Sequence, residues 1–358
     1  MKASERNALA KQFILDKLEF ASSQNEADFK NLPEYLKLKA ILQDLICVSA
    51  KGFRGVVATA ITGKYLNPDY DPLNNFYSCK PRSIFEQGIY YAFEGRVPCG
   101  KSDPLNVAKN TNVLNDEWAK GSRPQSAAQA AVDYLRCIES VEGETREKVI
   151  NFFFFKLLEY SNSILAIKIN TPLVKRLSNQ AVASKLAKLI IEYPESGAIP
   201  QLVVSKLLNE LYANSNVTVE GGNESVFGTN TTSKKPADIW LSIDGRTFNL
   251  FEITVKKIDY KKLDDCIQSL KALDMLGQPV TFICRLPADV STLHDICNNS
   301  ITYKDKAFDF LDILDFINSV TSLLRIDQIN NLIGELQSFV SDVNRSKKTK
   351  DGWNKIFS

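Results

Sequence analysis

The chain has 358 residues, 44% of them hydrophobic and 24% charged, with a formal net charge of +2. That length holds two domains or one large one with a sizeable core, and the composition is that of an ordinary globular protein. A charge so near balance excludes bulk attraction to polyanions, so any affinity for nucleic acid has to come from local patches.

In chain order, residues 4–20 and 33–50 carry apolar residues at helical spacing. The opening Met1-Lys2-Ala3-Ser4-Glu5-Arg6 lacks the apolar segment of a signal peptide, and no later run approaches a membrane span. A cytoplasmic, non-membrane protein is expected. A polar, loop-like stretch follows over 65–125. Within it Gly95-Arg96-Val97-Pro98-Cys99-Gly100-Lys101-Ser102 fits the GxxxxGK[ST] pattern of a phosphate-cradling P-loop, with Ile89 to Phe93 as the strand such a loop needs. Its context is poor, because Asp103-Pro104 follows at once and 105–114 shows no amphipathic helix. The alternative is a DNA-contact loop over about 79–125, in which Lys101, Asn106, Lys109, Asn110, Asn112, Asn115 and Arg123 present groups able to read base edges. A plain surface loop takes such residues as well.

Residues 146–170, around the run Phe152-Phe153-Phe154-Phe155, and 171–193 continue the helical pattern. Pro194-Glu195-Ser196-Gly197 then breaks the chain. The predicted division is a mainly helical region, 1–194, and an α/β region, 195–358, whose mixed central sheet is flanked by helices. A helix is predicted over 199–213, a polar segment over 221–235, a helix over 260–276 and a strand over 279–285. His294, the single histidine, reads as a surface residue, and its isolation removes Ser-His-Asp triads, His–Cys dyads and His-rich metal sites. The seven cysteines are odd in number, scattered and never in CxxC spacing, so they read as reduced thiols without a zinc site. The basic Arg345-Ser346-Lys347-Lys348-Thr349-Lys350 reads as a solvated tail.

Between the last two helices lie two apolar strand-like runs joined by Asp244-Gly245, and each carries a carboxylate, Asp238 and Glu252. A carboxylate on a buried strand is costly unless a cation compensates it. A divalent metal with a lysine nearby is the usual solution. Strand alternation puts Glu252, Thr254 and Lys256 on one face. A plain two-residue turn pairs Ile243 with Arg246 and sets Asp238 opposite Phe251, leaving the carboxylates on opposite faces. A shared site therefore requires a three-residue loop with a bulge, or an equivalent irregularity.

This arrangement resembles the PD-(D/E)xK nucleases, and the order helix, hairpin strands, helix, strand is that of their core. More narrowly, the chain from about residue 55 resembles type II restriction endonucleases of the SacI kind. Four places carry the likeness: Gly100-Lys101-Ser102-Asp103-Pro104-Leu105-Asn106; the helix from Gln201; Pro236-Ala237-Asp238 with Phe251-Glu252-Ile253-Thr254-Val255-Lys256; and Trp353-Asn354-Lys355-Ile356-Phe357. The resemblance implies a homodimeric, Mg2+-dependent enzyme of the prokaryotic cytoplasm that cuts both strands of double-stranded DNA at a short sequence. Asp238, Glu252 and the Ile253 main-chain carbonyl would hold the metal, Lys256 would serve the attacking water, and Gln201 would hold a metal-bound water. Thr254 stands where the general pattern has its lysine, and Lys256 lies one strand repeat, roughly 6.6 Å, farther along. Two other readings stay open: a P-loop NTPase, and a DNA-binding protein on an inactive nuclease fold.

Overall fold

The computed structural model describes residues 1–172, 177–222 and 235–358. The described chain forms two compact units, Met1–Ile167 with Asp342–Ser346, and Lys168–Ser341 with Lys347–Ser358.

The first unit is helical, built on α1 (Ala3–Ser22), α2 (Tyr35–Ile46), α3 (Gly52–Leu66), α4 (Gln125–Glu139) and α5 (Gly143–Leu165). Every residue of α3 from Gly52 to Gly63 is buried, which marks it as the central helix of the unit. Phe152, Phe153 and Phe154 of α5 are fully buried in the same core. The stretch 65–125 is not loop-like, as its polarity predicts. It carries short helices at Pro81–Ile84, Tyr90–Phe93, Asp103–Ala108 and Asp116–Gly121. Proline sits in the first turn of two of them, where it starts a helix instead of breaking one. Phe85, Ile89, Phe93, Leu105, Ala108 and Leu114 tie the stretch to the core. A π turn at Phe85–Ile89 joins the first two and breaks their helical period, and the other two are only six residues each, which is why composition misleads here.

The second unit is α/β. Helices α6 (Asn179–Glu192) and α7 (Ala198–Tyr212) precede strands β1 (Val217–Gly221), β2 (Ile239–Ile243) and β3 (Arg246–Ile253). After β3 come α8 (Tyr260–Ala272), β4 (Val280–Cys284), β5 (Ser300–Tyr303), β6 (Lys306–Asp312), α9 (Ile313–Leu323), α10 (Ile326–Ser341) and α11 (Lys347–Ile356). The six strands form one sheet in the order β1-β2-β3-β4-β6-β5. β1, β2 and β3 pair antiparallel, β3–β4 and β4–β6 pair parallel, and β5–β6 is antiparallel. On one face Ile239, Leu241, Phe251 and Ile283 pack with α6, α7, α9 and α10. On the other, Leu250, Phe282 and Phe308 pack with Leu263, Ile267 and Leu270 of α8.

Two sequence expectations shift here. The predicted boundary at 194/195 falls instead at 167/168, because Val182, Leu186, Leu189 and Ile190 of α6 are buried in the sheet-facing cluster of the second unit. The predicted helix over 171–193 is formed from Asn179 to Glu192; residues 173–176 of it, and 223–234 of the polar segment 221–235, lie outside the described residues. The basic C-terminal stretch is no free tail either. Lys350, 1% exposed, donates to the Ser341 carbonyl at 2.7 Å within a folded helix.

Candidate active site

The β2–β3 turn is the plain two-residue one. Ile243 pairs with Arg246, and Asp244 and Gly245 both take positive φ, 50° and 74°, as a type I′ turn demands. By itself this turn would separate the carboxylates. The register then slips: Ser242 faces Thr247 while Leu241 faces Asn249, so Phe248 is an extra residue on β3. Beyond the bulge Ile239 faces Phe251, and continuing that register sets Asp238 opposite Glu252. The two carboxylates therefore share the α8 face of the sheet. The bulge does what the turn does not.

Local contacts fix the pair. Asp238 Oδ2 accepts the Ile253 amide at 2.9 Å, which locks it beside the end of β3. The carbonyl of an extended residue points the same way as its amide, so the Ile253 carbonyl is directed to the Asp238 side. The Asp238 carbonyl accepts the Gly222 amide at 3.0 Å and the Gln201 side-chain amide at 3.3 Å. Gln201, buried on α7, thus reaches the backbone of the strand start. Gly221, at φ 85°, lies so close that a Cβ would meet the Asp238 carbonyl oxygen at 2.2 Å. Gly221→Ala is expected to displace the start of β2 and lower the melting temperature by several degrees, roughly the effect of a core overpacking substitution; an unchanged melting temperature would mean that the strand start tolerates the added methyl.

Glu252 is 1% exposed and accepts the Lys262 amine of α8 at 2.6 Å; the Lys262 side chain keeps 40% of its surface exposed. Burial draws the Lys262 amine down, but Glu252 and Asp238 outweigh it and hold the amine above its ordinary range. Burial also raises the Asp238 carboxyl, and Lys262, the Ile253 amide and Lys235 do not fully offset it. At Asp238 the surrounding positive groups fall short of the cost of burial. Among the described residues no group of three or more His, Cys, Asp or Glu is arranged so that it could hold a metal ion.

Lys256 lies past the end of the strand. β3 ends at Ile253, so the alternation that aligned Lys256 with Glu252 stops before reaching it. Lys256 is exposed in a bend, its amide donating to Thr254 Oγ1 at 3.1 Å. Arg285 fastens that bend: it binds buried Asp289 through Nε (2.9 Å) and Nη2 (2.7 Å) and donates from Nη2 to the Val255 carbonyl at 2.6 Å. Lys262, which strand reasoning missed, was marked in sequence only as a lysine in the first turn of the helix after the second carboxylate.

In the first unit Lys101, Asn106, Lys109, Asn110, Asn112 and Arg123 are all exposed, Asn106 on the helix Asp103–Ala108. Lys101 lies over the Tyr91 ring at 5.6 Å, and Arg123 Nη1 donates to the Lys120 and Ser122 carbonyls. The P-loop reading loses its geometry. Ile89 to Phe93 is helical, not a strand, and the buried Asp103 carboxylate accepts the Gly100 amide at 2.5 Å, occupying a donor a phosphate would need. The wild-type protein is accordingly expected not to bind ATP; ATP binding that Lys101→Ala loses would contradict this.

Seven free cysteines and an exposed His294 complete the inventory of reactive side chains, none of them at the carboxylate pair except Cys266, whose thiol burial pushes up to about 12. No helix among the described residues is long and apolar enough to cross a membrane. No protein-family model and no curated protein matches this chain.

Proposed function

We propose that this protein is a Mg2+-dependent endonuclease of the PD-(D/E)xK kind, hydrolysing phosphodiester bonds in both strands of double-stranded DNA at a short specific sequence, as type II restriction endonucleases of the SacI kind do. The observation that carries the reading is the Phe248 bulge, which brings Asp238 opposite Glu252 at the end of a strand whose parallel neighbour follows through α8. The donor set suits magnesium: two hard carboxylates and the Ile253 carbonyl leave room for waters and a phosphate oxygen. Magnesium held there supplies Lewis-acid polarisation of the phosphate and a bound water of lowered pKa.

The chain's residues do the rest. Asp238 and Glu252 hold the cation, the Ile253 amide orients Asp238, and Gln201 braces the strand start that carries it. Exposed Lys101, Asn106, Lys109, Asn110, Asn112 and Arg123 supply phosphate and base-edge donors. Cutting both strands of a duplex at one symmetric site calls for two copies related by a two-fold axis, hence a homodimer. Such an enzyme belongs in the cytoplasm of a prokaryote.

Incubating the protein with plasmid and Mg2+, then mapping the ends, tests this. A discrete set of fragments with one end sequence, abolished by EDTA, is the expected result. A smear reduces the reading to a nonspecific nuclease, and specific binding without any cutting points to an inactive nuclease fold.

A further inference from the structure

We infer that the catalytic ammonium of this site is Lys262, delivered by helix α8, and that Lys256 has no part in the reaction. The inference rests on the nuclease reading of Asp238 and Glu252. Three independent observations carry it. The first is distance: Lys262 Nζ lies 2.6 Å from Glu252 Oε2, whereas β3 ends three residues before Lys256. The Val255 carbonyl, held by Arg285, fixes that bend.

The second is a broken local rule. Lys262 sits in the first turn of α8, its own amide capped by Asp259 at 2.9 Å. A cation there meets the positive end of the helix dipole, where an acidic residue would be the stabilising choice. Proteins break such rules at functional sites. The third is accessibility. Glu252 is buried to 1%, but Lys262 keeps 40% of its side chain open, so the amine can swing from Glu252 outward to a substrate. A lysine serving only to neutralise Glu252 has no need of that opening.

In the reaction Lys262 stays protonated throughout. Its ammonium contacts a non-bridging oxygen of the scissile phosphate and orients the attacking water. The water oxygen bonds to phosphorus as the bond from phosphorus to the leaving sugar oxygen breaks. That oxygen keeps the bonding pair and takes a proton from solvent, while one proton of the attacking water passes to solvent. The charge that Lys262 offsets grows in the transition state, so its contribution falls on turnover more than on binding.

The test compares Lys262→Ala, Lys262→Met and Lys256→Ala in the full-length protein. Lys262→Met keeps the aliphatic stem and serves if the alanine variant does not fold. Loss of Lys262 is expected to slow cleavage by roughly a hundredfold to a thousandfold, the usual effect of removing one donor to a developing charge. Lys256→Ala is expected to stay within about threefold of wild type, the range of a residue outside the machinery. A second readout needs no turnover. With Ca2+ in place of Mg2+, the slope of log affinity against log salt should become shallower by about 0.9 for Lys262→Ala and Lys262→Met, one phosphate contact. Lys262→Arg, which keeps the charge, should restore that slope. An unchanged slope together with near-normal cutting in Lys262→Met would overturn the assignment, as would a large loss in Lys256→Ala. Wild-type protein that fails to cut DNA with any divalent metal would instead sink the nuclease reading itself.

Discussion

Replacing Asp238 or Glu252 by alanine should abolish DNA cleavage, by at least roughly three orders of magnitude, and leave specific binding largely intact. The size follows from the chemistry: a divalent cation supplies several kcal/mol of transition-state stabilisation, and each 1.36 kcal/mol is about tenfold in rate. Binding survives because most protein–DNA contacts are made to phosphates and base edges away from the reacting atoms. Neither loss should unfold the protein. Asp238 is partly exposed, and removing Glu252 frees a lysine that already reaches solvent. Single-turnover cleavage and a binding assay in Ca2+ on the same preparations separate the two effects. Near-normal cutting by either variant would dismantle the site. Glu252→Gln is the sharper control, since it keeps the shape and removes only the charge.

The second large effect concerns stability. Trp353 of α11 is fully buried, its Nε1 donates to the Asn170 carbonyl at 3.0 Å, and its ring lies 4.2 Å from that of Phe357. Next to it Gly352 lies against Tyr193, where an added Cβ would meet the ring at 2.5 Å. Trp353→Ala therefore opens a cavity and strands a carbonyl. About 3–5 kcal/mol of unfolding free energy should be lost, much of what a domain possesses. Urea denaturation measures this, and a loss under about 1 kcal/mol would mean that the C-terminal helix is not part of the fold's core. The same variant should lose activity only in proportion to its unfolded fraction.

Much of the second unit was legible because its signals are local. Asp244-Gly245 between apolar runs encodes the type I′ turn, and the spacing of Leu202, Val203, Leu207 and Leu208 encodes α7. The bulge was not legible. No glycine or proline marks Phe248; the slip is chosen by which of Leu250 and Phe251 faces α8 and which faces α7, a tertiary decision. Sequence could state only that an irregularity was required if the carboxylates were to meet. The ion pair of Glu252 with Lys262 was not legible for a related reason. Strand alternation counts residues along one element, and Lys262 arrives from the next one. The helices of 81–121 escaped because a π turn at Phe85–Ile89 breaks the period of the first, and the other two are only six residues long.

A manganese soak of crystals of the protein, read by anomalous scattering, bears most directly on the carboxylate pair. The account predicts a single strong peak within direct coordination distance of one oxygen of Asp238 and one of Glu252, close to the Ile253 carbonyl, with the Lys262 amine drawn off Glu252 toward solvent. No peak there at saturating manganese, with Lys262 still on Glu252, would show a structural ion pair in place of a metal site and contradict the account.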